Sequence, residues 1–93
     1  MTPREKLWYL VENFVFGKYK AREFCSEFSQ IYNFEMDYNT LSEKEHLLFK
    51  ELCAMADRFS DYEEDLKIPN VFYSDKDIFK FASNVVAQKE TLV

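Results

Sequence analysis

The chain has 93 residues, of which 47% are hydrophobic and 18% aromatic. It is too apolar for a disordered tail and long enough for one domain, spanning 1–93. Its net charge of −5 argues against direct binding to nucleic acid, which needs a basic face. No stretch approaches the roughly 20 apolar residues of a membrane span, and the short N-terminal apolar run, broken by Glu12 and Asn13, does not read as a signal peptide. A cytoplasmic protein is expected.

One Gly and two Pro leave little material for tight turns, which favours long helices. Thr2 with Glu5 forms a capping-box pattern, and Pro3 falls at the first helical position, where a missing N–H costs nothing. Leu7, Leu10, Val11, Phe14 and Val15 then follow at spacings of three and four. Gly17 ends this first helix as a C′ residue. A second helix over 20–33 has no box but places Ala21, Phe24, Cys25, Phe28, Ile31 and Tyr32 on one stripe.

Ser42 with Glu45 opens the third helix, with Leu41 placed as a hydrophobic staple. Its stripe is Leu48, Leu52, Met55, Ala56 and Phe59, widened by Phe49 and Cys53. Ser60 with Glu63 offers a cap for a single turn through Leu66, and Ile68-Pro69-Asn70 breaks the chain. Ser74 with Asp77 opens the last helix, along which Ile78, Phe81, Ala82, Val85 and Val86 repeat the pattern. Four amphipathic helices on short connections can bury their stripes only against one another. The expected fold is all-α, an antiparallel four-helix bundle.

Signals for chemistry are absent. His46 is the only histidine and sits among Lys44, Glu45 and Lys50, which reads as a solvated face. Cys25 and Cys53 form neither a CxxC nor a zinc pattern and read as reduced, buried thiols. No calcium loop or phosphate-cradling glycine loop is present. No catalytic residue, metal ligand or cofactor is expected, and the protein reads as a binding protein rather than an enzyme.

The charge is unevenly spread. Residues 35–77 hold twelve acids against five bases, while the segments on either side each carry a net charge of +1. An acidic middle favours a basic partner, and nucleases are basic where they hold phosphate. Within it, the stretch 57–65 carries Asp57, Asp61, Glu63, Glu64 and Asp65 against Arg58 alone, interleaved with Phe59 and Tyr62. Asp57 falls in the last turn of a helix, where the macrodipole disfavours negative charge. A turn starting at Ser60 would relieve part of this for Glu63 and Glu64, but local stability accounts for neither Asp57 nor Asp61, so Asp57, Asp61, Tyr62, Glu63, Glu64 and Asp65 are the candidate partner-binding residues.

The run Phe16-Gly-Lys-Tyr-Lys-Ala-Arg-Glu-Phe-Cys25, then Leu41-Ser42, then Glu51-Leu-Cys-Ala-Met-Ala-Asp-Arg-Phe59 followed by acids, resembles the colicin D immunity protein family. That family comprises bacterial self-protective, colicin-like immunity proteins, including some encoded beside contact-dependent inhibition toxins. The resemblance covers about residues 7–88. It implies a helical bundle that covers the active-site cleft of a toxic tRNA nuclease as a 1:1 heterodimer, its acids standing in for substrate phosphates. By position, Asp57 takes the place of an acid, and the following acids map onto Asp61–Asp65. An alternative reading is a small helical module that dimerises or docks an unrelated protein, with the aromatics as its sticky face and the acids as solubilising charge.

Overall fold

The structure is a computed structural model describing residues 1–92. Helix covers 71% of the chain, about twice the usual third, so the all-α reading holds. Four long helices carry the fold: α1 (Pro3–Val15), α2 (Ala21–Phe34), α3 (Glu43–Asp57) and α5 (Asp75–Ala87). Single turns α4 (Glu63–Leu66) and α6 (Lys89–Leu92) and a 3-10 turn at Tyr38–Thr40 fill the connections.

All three capping boxes form. Thr2, Ser42 and Ser74 accept from the N–H groups of Glu5, Glu45 and Asp77, whose carboxylates reach back to the cap N–H groups at 3.0, 2.9 and 3.0 Å. Each box satisfies two backbone donors that a helix start leaves without partners. α2 starts at Lys20 without a side-chain cap. At the end of α1, Gly17 adopts φ +85° and closes a Schellman turn, with Lys18 N–H bonding Asn13 O at 2.8 Å. A side chain at that φ would strain the turn.

The stripes converge as periodicity requires. α1 packs against α2 and α5, α2 against α3, and both α2 and α3 meet α5. Leu7, Val11, Phe24, Phe28, Phe49, Leu52, Ile78 and Val85 are fully enclosed. An aromatic spine links three helices: Phe14 stacks on Phe24 at 4.4 Å, Phe24 meets Phe28, Phe28 meets Phe49 edge-on at 5.8 Å, and Phe49 meets Trp8 at 5.1 Å. Such pairs add about 0.5–1.5 kcal/mol each beyond area burial.

Two sequence expectations fail here. Glu45 is not on a solvated face; it is 1% exposed, because it turns inward to Arg4 and Trp8 of α1. His46 is half-buried, stacked on Tyr32 and edge-on to Tyr38, with its Nδ1 3.4 Å from the Tyr32 hydroxyl. The 3-10 turn brings the Tyr38 ring to within 5.3 Å of the His46 ring on α3. Trp8, outside the expected α1 stripe, is also buried, because it reaches Glu45.

Candidate partner-binding site

The end of α3 and the segment after it are organised by one backbone bridge. Tyr73, just before α5, donates its N–H to Arg58 O at 2.9 Å and accepts from Ser60 N–H at 3.0 Å, a parallel pairing of Phe59 with Tyr73. Ser60 is buried at this junction. Its hydroxyl does not cap α4, as the Ser60–Glu63 spacing suggested. It accepts from Tyr62 N–H at 3.2 Å and donates to the Asp65 carboxylate at 2.7 Å, and Tyr62 stands at the N-cap without a side-chain bond.

This arrangement divides the candidate acids. Asp65 is half-buried and occupied by Ser60, so it shapes the turn. Asp61 is exposed and paired with Arg22 of α2, whose guanidinium also lies 5.8 Å from the Phe59 ring and 5.9 Å from the Tyr62 ring. That pairing raises the Arg22 pKa further, through its hydrogen bond and charge contact with Asp61. Asp57 is exposed at the end of α3 and accepts from the Ser29 hydroxyl of α2. Glu63 and Glu64 are exposed on α4. Among the described residues, neither they nor Asp57 form an ion pair.

Asp57 lies between two depressions. One, lined by Arg22, Ser26, Ser29, Gln30, Phe34 and Phe59, runs along the α2–α3 seam. The other is bounded by Tyr38, His46, Lys50 and Cys53. Exposed acid and aromatic surface therefore meet at this end: Asp57 beside Phe34, and Asp61 beside Tyr62.

No family model, curated protein or solved structure matches this chain.

His46 and Cys53 border the same depression, but no hydrogen bond joins them. His46 faces Tyr32, whereas Cys53 neighbours Asn33 at 3.6 Å and Ser29 at 3.9 Å. Burial, then the charge of Asp57, raises the Cys53 pKa, the opposite of what a thiolate nucleophile needs. Among the described residues no three His, Cys, Asp or Glu side chains converge as metal ligands, and no helix is long and apolar enough to cross a membrane.

Sequence reasoning found the acids but missed Arg22, which sits 39 positions before Asp61 and carries no local signal. It also missed the Phe59–Tyr73 bridge, because Phe59 read as the end of the α3 stripe, whereas α3 closes at Asp57.

Proposed function

We propose that this protein is an antiparallel four-helix bundle of the colicin D immunity type, a non-enzymatic cytoplasmic inhibitor. It binds the basic nuclease domain of a cognate bacterial toxin and occupies its active-site cleft with acids in place of RNA phosphates. Asp57 carries the reading. It is exposed in the last turn of α3, where the helix macrodipole disfavours an acid, and among the described residues no cation forms an ion pair with it. Asp61, Glu63 and Glu64 add negative charge on the segment that follows. Acids held at a cost to the fold suit an external cation, and a basic phosphate-binding cleft supplies several.

On this reading the gene directly upstream encodes a protein that ends in a basic nuclease domain, and the test is a binding and inhibition experiment with that domain; an upstream gene without one removes the reading. Stoichiometric 1:1 binding that stops cleavage of tRNA supports the reading. A purified upstream domain that keeps full nuclease activity beside excess inhibitor removes it.

A further inference from the structure

Residues 60–73 form a loop closed at its base. Tyr73 is bonded on both sides, to Arg58 and Ser60, so the two ends of the loop meet. The buried Ser60 hydroxyl ties Tyr62 and Asp65 together inside it. Ile68 N–H bonds Asp65 O at 3.1 Å, and Asn70 takes a left-handed φ of 63°, which Asn tolerates better than most side chains. The loop's shape is thus set before any partner arrives.

Its composition is unusual for such a loop. Surface turns draw on Gly, Pro, Asn, Asp and Ser, yet here Leu66 is 39% exposed, Ile68 48% and Val71 40%. The side chains packed on the core include Phe59 and Tyr73 at the loop's base, but not these three. Single exposed apolar residues need no explanation, whereas three within six positions of one ordered loop do. They follow directly on the acidic arm of Asp61, Glu63 and Glu64.

We propose that this loop is an interaction knuckle whose apolar arm, Leu66, Ile68 and Val71, seats in an apolar-floored cleft of a basic partner protein. The proposal rests on the inhibitor reading and adds the anchor that the acids alone do not supply. Interfaces combine an apolar centre with a polar rim, and buried apolar anchors carry more energy than rim charges. The acids steer encounter and the knuckle holds the complex. A second copy of this chain fits the surface poorly, because a two-fold interface would set each acidic arm close to its twin. The pre-set loop loses little freedom on docking.

The experiment is surface plasmon resonance against the basic nuclease domain that the inhibitor reading requires of the upstream gene, with Ile68→Ser/Val71→Ser, each single variant, and Leu47→Gln as an exposed apolar control on α3. The double variant should melt near the wild-type temperature and dissociate about thirtyfold faster or more, while Leu47→Gln binds as wild type. If the double variant is unfolded, the single variants decide on the same criterion. Wild-type affinity in the folded loop variants overturns the knuckle and leaves the inhibitor reading standing. Failure of the wild-type chain to bind removes both. A wild-type dimer in sedimentation velocity that the loop substitutions break reassigns the loop to self-association and overturns the proposal.

Discussion

Trp8 of α1 donates its indole N–H to the Glu45 carboxylate of α3 at 2.7 Å, and the same carboxylate closes the α3 capping box. Arg4, one turn earlier on α1, adds an ion pair at 2.8 Å. One buried acid therefore starts a helix and locks it to another. Its oxygens receive charge-assisted bonds from the backbone, the indole and the guanidinium, which is the condition for burying a carboxylate at tolerable cost.

Glu45→Ala should destabilise the fold by about 3 kcal/mol, the low end of the range for breaking a buried pair, because partly exposed Arg4 can rehydrate. The melting temperature should drop by roughly 15 °C. A thermal melt displaced by only a degree or two would show that the network is ornamental to stability.

The same carboxylate should make the protein acid-sensitive. Burial pushes the Glu45 pKa up, but hydrogen bonds from Ser42, Arg4 and Trp8, with the Arg4 charge, outweigh it and hold the pKa below its ordinary 4.5. A lowered folded-state pKa gives stability that is full above 4.5 and lost as pH falls through the folded value. Glu5 is shifted the same way by the Thr2 backbone and side chain, so the wild type carries both contributions. Glu45→Gln should flatten the stability profile below about pH 5 relative to wild type. Parallel denaturant profiles for the two proteins would contradict the assignment.

Much of this fold was legible locally. Capping boxes act over three residues and apolar stripes over one turn, so the starts of α1, α3 and α5 and their buried faces follow from spacing alone. What escaped depends on pairs distant in sequence. Glu45 looked solvated because its neighbours Lys44 and His46 are polar, while its partners Arg4 and Trp8 lie 41 and 37 positions away. The acids at the candidate site were visible, but their division was not. Asp65 serves Ser60, Asp61 faces Arg22, and Asp57 is left to Ser29, an allotment that only the folded chain makes.

Both cysteines should be inert in the native state. Burial, with the Asp57 charge second, pushes Cys25 up to about 12, and Cys53 is raised by the same causes. A thiol-specific chromogenic reagent at pH 8 should therefore react slowly with the folded protein and titrate both thiols after unfolding, since neither is disulfide-bonded. Immediate native labelling of either thiol would point to an opening that the packed core does not suggest.

Arg22 should matter more to loop order than to global stability. Its ion pair with Asp61 is exposed on both sides, and such pairs add little to folding. It nonetheless touches Phe59, Asp61 and Tyr62 together. Arg22→Gln should leave the melting temperature nearly unchanged while speeding amide exchange at residues 61–66. Unchanged exchange there would show that the Phe59–Tyr73 bridge alone sets the loop.

On the proposed inhibitor reading, Asp57 should move stability and binding in opposite directions. Asp57→Asn removes a charge that the α3 macrodipole disfavours while keeping an oxygen for the Ser29 hydroxyl, so folding stability should hold or rise by about 0.3 to 1 kcal/mol. In the proposed complex the same substitution would take away one partner of a desolvated charge pair, which should cost about 2 to 5 kcal/mol and show as faster dissociation. Neutralising Glu63 and Glu64, exposed on α4, should instead slow association and reduce its salt dependence. Asp77→Ala removes the acid of the α5 capping box and supplies the contrast: about 1 kcal/mol less stable, with the complex nearly as tight. Melting curves and surface plasmon resonance at two salt concentrations separate the four cases. An Asp57→Asn protein that is less stable and binds the nuclease domain as wild type would make Asp57 a structural residue and move the binding face elsewhere.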